Sequence, residues 1–218
     1  LTGERGTGKT STARIISKSL TCTGNFLEGE KCKTGEICHC EEIANDKHLD
    51  VIECDAASRT GVDDIRQIID SAKYKPTTAK YKIYIIDECH MLSRNAWNAL
   101  LKTLEEPPEM LKFIFCTTEP KKVPITIVSR CQTFNLHRIS IKVLSDHLKK
   151  ISKIENRKLS DSAIKLIAKA STGSARDALS LLDRALVDKY ASEGEIDEVA
   201  VRNMLGIGNR SEILKLLK

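Results

Sequence analysis

Residues 3 to 10 read Gly3-Glu4-Arg5-Gly6-Thr7-Gly8-Lys9-Thr10. This is the pattern Gly-x-x-x-x-Gly-Lys-Thr, and it constrains the fold more than any other segment. Such a loop needs a buried strand before it and a helix after it. Its glycines let backbone N–H groups turn inward around a triphosphate, with the positive end of the helix dipole aimed at the same anion. Lys9 can reach the β and γ phosphates and the Thr10 hydroxyl can ligate Mg²⁺, so ATP is the expected ligand of Gly3, Gly6, Thr7, Gly8, Lys9, Thr10 and Ser11. Only Leu1 and Thr2 precede the loop, so we expect the first strand to be lost, along with contacts that helped hold the adenine base.

Beyond the loop, helical and strand patterns alternate. Lys9–Leu20 has helical spacing, Asp50–Cys54 is a short strand candidate, Val62–Ala72 a helix, and Lys82–Asp87 a buried strand ending in acids. Ser93 is a candidate N-cap for a helix stopped after Glu105 by Pro107-Pro108, and Lys112–Cys116 is another apolar strand. Strands alternating with helices predict an α/β fold with a parallel sheet covered on both faces. After about residue 138 the character changes. Helices fit 140–156, 160–171, 174–190 and 195–205, with Ser160 and Ser174 as caps. We therefore expect a core over 1–138, an all-helical domain over 139–208, and the start of a third domain over 209–218.

The chain of 218 residues carries 35 Lys and Arg against 30 Asp and Glu, a net charge of +5 that permits nucleic-acid binding without demanding it. No apolar run approaches the roughly 18 residues a membrane span needs. No signal peptide is visible, and the expected location is the cytoplasm. Of eight cysteines, Cys22, Cys32, Cys38 and Cys40 fall together in a glycine-containing stretch that looks like an inserted module. Beside an ATP motif, clustered cysteines favour metal over disulfides. Cys54, Cys89, Cys116 and Cys131 are scattered, three of them in or beside apolar runs where a thiol behaves as a small hydrophobe.

Ile83-Tyr84-Ile85-Ile86 delivers Asp87 and Glu88 to the carboxyl end of a strand, where α/β sheets place ligands. Asp87 would hold Mg²⁺ through water and Glu88 would polarise the attacking water. A strand end capped by solvated acids reads the same in isolation, and the phosphate loop tips the balance towards catalysis. Thr117 and Thr118 end the next strand, where a hydroxyl can bind the attacking water or the γ-phosphate, although a turn threonine looks no different. Arg130, in Ser129-Arg130-Cys131, suits an arginine supplied in trans to the transferred phosphoryl group, or else a solvated charge. Arg176, in Gly173-Ser174-Ala175-Arg176-Asp177-Ala178, could fold back on the γ-phosphate or form a surface pair with Asp177.

The order of these elements, with Leu100-Leu101-Lys102-Thr103-Leu104-Glu105-Glu106-Pro107-Pro108 and Asp55-Ala56-Ala57-Ser58-Arg59-Thr60, resembles the clamp-loader branch of the AAA+ ATPases. The cysteine-rich insert directly after the loop helix makes it most similar to the gamma/tau family of bacterial DNA polymerase III. The resemblance covers nearly the whole chain. It implies a P-loop AAA+ parallel sheet with an inserted zinc module, followed by a small all-helical lid and an oligomerisation collar. It implies ATP binding by the loop, Asp87 and Glu88 as Mg²⁺ and catalytic acids, and Arg130 as arginine finger for a neighbour's ATP. Thr118 would be the first sensor, twelve positions before Arg130, with Thr117 as fallback and Arg176 as the second sensor. It implies a pentamer with other loader subunits, a sliding clamp, primer-template DNA and the replicative polymerase as partners, and polymerase activity in a different subunit of the holoenzyme.

Where the family spaces its last three cysteines C-x-x-C-x-x-C, this chain has Cys32-x5-Cys38-x-Cys40. The resemblance still implies one structural Zn²⁺ on Cys22, Cys32, Cys38 and Cys40, with His39 as an alternative ligand. Arg59 and Thr60 are candidate contacts to the DNA backbone, and Arg59 as a plain surface charge is the equal alternative. Two rival functions remain: an AAA+ DNA-remodelling motor of the branch-migration type, and a non-hydrolysing loader scaffold that binds partners through its helical domain and zinc module.

Overall fold

Ile83, Tyr84, Ile85 and Ile86 are each no more than 1% exposed, and the sheet is organised around them. They form most of β3 (Lys82–Asp87), which pairs in parallel with β2 (Val51–Asp55) on one side and β4 (Leu111–Phe115) on the other. A strand buried on both faces must be apolar at every position, and this run is. The computed structural model describes residues 1–22, 39–58, 61–187 and 196–207.

Alternation along β3 sends its side chains to two cores. Tyr84 and Ile86 pack with Ile65 and Ile68 of α3 (Val62–Ala72) and with Trp97 and Leu100 of α4 (Arg94–Glu105). Ile83 and Ile85 face the other way, onto Ala13 of α1 (Lys9–Thr21) and Ile43 of α2 (Cys40–Ala44). Helices on both faces are thus a direct consequence of one apolar strand. Ser93 caps α4 by accepting the Ala96 N–H at 3.2 Å, as its position predicts.

A piece of the first strand is present, which corrects the expectation that it is lost. Thr2–Gly3 form β1, in parallel register with Asn135–Leu136, which form β5. β1 also joins the larger sheet: the Leu1 amine donates to Phe115 O at 2.6 Å, Thr117 N–H donates to Leu1 O at 3.0 Å, and Thr2 bridges Thr117. The strand order is therefore β2-β3-β4-β1-β5. Two-residue strands carry no periodic signal, so β5 was not legible in the sequence. The four-residue α5 (Ile125–Val128) lies between β4 and β5 and brings the chain to Ser129-Arg130.

By internal contacts the chain divides into Leu1–Gly3 with Gly8–Leu136, and Glu4–Thr7 with the residues from His137 onward. In the described part of the second unit, α6 (Ile141–Ile154), α7 (Asp161–Ala170), α8 (Ala175–Val187) and α9 (Glu198–Met204) enclose a core of Leu144, Leu148, Ile164, Ile167, Leu182 and Met204. Ser140, Ser160 and Asp197 cap α6, α7 and α9, accepting N–H groups of Val143, Ala163 and Ala200. The only β feature among its described residues is a single bridge, Leu159 to Ile196. Residues 23–38 of the cysteine-rich insert expected over 22–40, and the segment 209–218, lie outside the described residues.

Candidate active site

Gly8 takes φ +88°, a left-handed conformation closed to most side chains, and stands as the N-cap of α1. With no capping side chain there, the first N–H groups of the helix stay available to an anion. Lys9 is buried and donates from Nζ to Gly3 O at 3.1 Å, so its ammonium folds back over its own loop. Thr10 Oγ1 donates to Asp87 Oδ2 at 2.5 Å, which joins the phosphate loop to the end of β3 across 77 residues. Ser11 is exposed on the first turn of α1.

Asp87 accepts the Glu88 N–H through its other oxygen at 2.9 Å. Glu88 has φ +45°, a strained value for a side-chain-bearing residue, which turns it out of line with β3. Its Oε2 accepts from Thr118 Oγ1 at 3.0 Å, so two candidate catalytic residues read separately from the sequence are in contact. Thr117 turns elsewhere. It accepts the Glu119 N–H at 3.0 Å and lies 3.0 Å from His90 Nδ1. On the other side of the ring, His90 Nε2 lies 3.4 Å from Glu119 Oε1. His90 Nδ1 also approaches Glu88 Oε2 at 3.4 Å. Lys122, 2.9 Å from Glu119, holds that carboxyl below the usual carboxylate range.

His90 and Glu119 were missed in the sequence, although Asp-Glu-x-His within one strand end was a signal that could have drawn attention to His90. Two further ties were also invisible. Arg14 of α1 clamps Glu53 of β2 with bonds of 2.7 and 2.9 Å, and the pairing raises the guanidinium pKa above its ordinary value. Asp50, buried at the start of β2, accepts N–H groups of Thr77, Thr78 and Ala79 at 2.7–2.9 Å and the Thr78 hydroxyl at 3.1 Å. Both act on β2, the strand paired beside the one that ends in Asp87. Burial pushes the Cys89 and Cys116 thiols up to about 12, which makes them inert core residues.

Arg130 is exposed and held by Glu105 Oε1 at 2.6 Å and Thr126 O at 2.9 Å, so its guanidinium sits at the surface. In the second unit, Gly6 takes φ +76° and its carbonyl accepts the Ala175 N–H at 3.0 Å. A Cβ at Gly6 would lie 2.0 Å from Ser174 Oγ and 3.4 Å from Arg176 Cβ. The start of α8, with Arg176, thus sits directly against this loop glycine. Thr7 Oγ1 donates to Glu4 O at 2.8 Å, and Glu4 pairs with Arg138.

Of the cysteine cluster, Cys22 ends α1 and Cys40 opens α2, and these two helices pack on each other. Cys32 and Cys38 lie outside the described residues, as do Arg59 and Thr60. His39, Glu42 and His48 place ligand atoms within 4.8 Å of one another, and His39 Nδ1 and His48 Nε2 are buried without a hydrogen-bond partner. His48 Nδ1 accepts the Asp50 N–H at 3.0 Å, however, which leaves the ring proton on Nε2. In that tautomer only His39 and Glu42 of this trio offer lone pairs to a cation.

Two family models match the chain: one described as DNA polymerase III, delta subunit, over residues 1–140, and one described as DNA polymerase III clamp loader subunit, ATPase lid domain, over residues 143–188. The chain is 46% identical over 205 residues to the DNA polymerase III subunit tau/gamma of Haemophilus influenzae, covering 94% of this chain and 29% of that protein. It is 44% identical over 217 residues to the subunit tau of Escherichia coli, covering 99% and 33%. It is 50% identical over 184 residues to the subunit tau of Bacillus subtilis, covering 84% and 32%. The chain thus spans about a third of the length of these relatives. Among solved structures, the Thermotoga maritima RuvB Holliday junction branch migration motor superposes with a TM-score of 0.66 at 18% identity, over 94% of this chain and 60% of that one. At that identity the likeness speaks for the fold alone.

Proposed function

We propose that this chain, which belongs to the family of DNA polymerase III clamp-loader subunits, is the ATP-hydrolysing motor of a bacterial replicative clamp loader. One observation carries the chemistry: Thr10 and Asp87 meet at 2.5 Å with Glu88 next in the chain and bonded to Thr118. A hydroxyl and a carboxylate side by side at a phosphate loop are the donor set for Mg²⁺, which would neutralise charge on the phosphate oxygens. Gly3, Gly6, Thr7, Gly8 and Lys9 would cradle the triphosphate. Glu88 would orient a water for in-line attack on the γ-phosphorus, and release of ADP would complete the step. The Thr118 hydroxyl, already on Glu88, would then report the γ-phosphate. Arg176 would reach the same phosphate from the start of α8.

Arg130 in this reading serves a neighbouring subunit's ATP. Its exposure at the surface supports that role. The domain boundaries at 138 and 208 follow the family: an ATP-binding core, a lid, and the beginning of a collar. The partners would be the other subunits of a pentamer, the sliding clamp, primer-template DNA and the replicative polymerase, in the bacterial cytoplasm. Arg59 and Thr60 would touch the DNA backbone. One structural Zn²⁺ on Cys22, Cys32, Cys38 and Cys40, or with His39 replacing one thiolate, would tie α1 to α2. Four protein ligands leave no open position for catalysis.

The test is ATP hydrolysis by the full protein assembled with its loader partners, with and without clamp and primed DNA. Stimulation by both is expected. Arg130→Ala should lower the stimulated rate by about 10³-fold while ATP binding stays intact. Hydrolysis indifferent to the clamp and to Arg130 would point instead to a DNA-remodelling motor, and nucleotide binding without hydrolysis to a scaffold.

A further inference from the structure

We infer that His90 is a positioning residue for ATP hydrolysis: it holds Thr117 and Thr118, just beyond β4, in the arrangement that pins one oxygen of Glu88 and leaves the other for water. This rests on the reading of Glu88 as the residue that orients the attacking water.

Among the described residues, the contacts to the Glu88 carboxyl gather on one oxygen. Oε2 accepts the Thr118 hydroxyl at 3.0 Å and the Thr118 N–H at 3.4 Å, and His90 Nδ1 approaches it at 3.4 Å. A carboxylate with one oxygen pinned and the other open can hold a water at a defined place. Thr118 is in turn bracketed by its neighbours. The Thr117 hydroxyl accepts the Glu119 N–H at 3.0 Å, a local turn that closes over Thr118. His90 Nδ1 lies 3.0 Å from that same hydroxyl. Threonine has more than one accessible χ1 rotamer, and a ring against its hydroxyl selects the one that makes the turn.

The ring is well placed to do this. The His90 side chain is 7% exposed and Thr117 3%. The Cys89 N–H donates to Cys116 O and the Cys116 N–H to Ile86 O, each at 2.9 Å, so His90 and Thr117 extend from backbones already locked together. The other ring nitrogen has less to hold. Nε2 is 3.4 Å from a Glu119 carboxyl that is half-exposed and already bonded to Lys122 at 2.9 Å. The Nδ1 side therefore carries the role, and His90 acts through Thr117, Thr118 and Glu88 rather than on ATP.

Two amide variants separate the ring nitrogens. Asn places a polar atom near the Nδ1 position and Gln near Nε2, and either end of an amide can meet a threonine hydroxyl. Gln is the closer match to histidine in size, so a packing role alone ranks Gln above Asn, whereas positioning ranks Asn above Gln. The full protein is assembled with its loader partners, clamp and primed DNA. Single-turnover ATP hydrolysis is followed, with affinity read from the fluorescence of mant-ATP. His90→Ala and His90→Gln should lower the rate by about 30- to 100-fold with affinity within about threefold, and His90→Asn should keep it within about fivefold of wild type. Adding Thr117→Val to His90→Ala should cost no more than about threefold further, because the two act in series. A His90→Ala rate within about threefold of wild type, Gln ranking level with or above Asn, or losses that multiply in the double variant would overturn the inference. The Asn and Gln pair decides the matter even where the Ala variant fails to assemble. Glu88→Gln is the control: if it abolishes hydrolysis while His90→Ala does not, only the role of His90 falls, and if it hydrolyses at the wild-type rate, the reading of Glu88 falls.

Discussion

Replacing Asp50 by Asn should destabilise the first unit without touching its nucleotide residues. Oδ2 accepts the Thr78 N–H, the Thr78 hydroxyl and the Ala79 N–H, and Oδ1 accepts the Thr77 N–H. An amide keeps three of these bonds only by placing its oxygen at the Oδ2 position, and then its NH₂ faces the Thr77 N–H, donor against donor. One bond is lost and three weaken from charged to neutral acceptors. Bonds to charged groups contribute about 1.5–3 kcal/mol and neutral ones about 1, with poor additivity, so the net cost is about 2 kcal/mol. Asp50→Ala orphans every donor and should cost about 4 kcal/mol.

The pH dependence gives a sharper test. Burial by itself raises the Asp50 pKa, but the three N–H groups and the Thr78 hydroxyl outweigh it, and the folded value lies below the ordinary one. A carboxyl depressed on folding contributes stability that is fully present above its unfolded pKa of about 3.9 and is lost as pH falls through the folded pKa. In urea unfolding followed by circular dichroism, the gap between wild type and Asp50→Asn should be constant from pH 7 to about 5 and close below about 4. At pH 7 the variant should melt about 4–8 °C lower. An Asn variant within about 0.5 kcal/mol of wild type at pH 7, or a gap unchanged at pH 3, would refute this account of the Asp50 bonds.

Gly6→Ala must clash with Ser174 Oγ and occupy φ +76°, so it should abolish ATP-dependent activity; Ser174→Gly in the same chain should restore part of it, and no rescue would mean the backbone angle alone matters. Thr118→Val should lower single-turnover hydrolysis by about 10- to 100-fold with ATP affinity within about threefold, whereas an unchanged rate would remove Thr118 from the site. Cys22→Ser with Cys40→Ser should take bound zinc, measured by elemental analysis, from one per chain to none; one zinc retained would remove these two thiols from the ligand set.

Much of this architecture can be read from local pattern, and the reasons are physical. A glycine-rich loop before Lys-Thr admits few backbone solutions, and the left-handed Gly6 and Gly8 are what it requires. Four consecutive apolar residues before Asp87 leave a strand little choice but the centre of a sheet, which is where β3 lies. Serine caps announce α4, α7 and α8 because Ser93, Ser160 and Ser174 each accept an N–H only three residues on. These features depend on neighbours in the chain, so the amino-acid order alone determined them.

Other features depend on neighbours in space, and only the tertiary structure decided them. Asp50 binds a loop 27 to 29 residues away, Arg14 finds Glu53, His90 settles between Thr117 and Glu119, and Thr2 pairs with Asn135. None has a local signature, since an isolated polar residue reads the same whether solvated or buried against a partner. Arg130 makes the contrast clear. Its residue type and context suggested a role on phosphate, and folding placed it on Glu105, at the surface where a second subunit could meet it. Sequence supplied the chemical groups, and the packing of the sheet chose which of them meet, because a hydrogen bond forms only when folding brings both ends to about 3 Å.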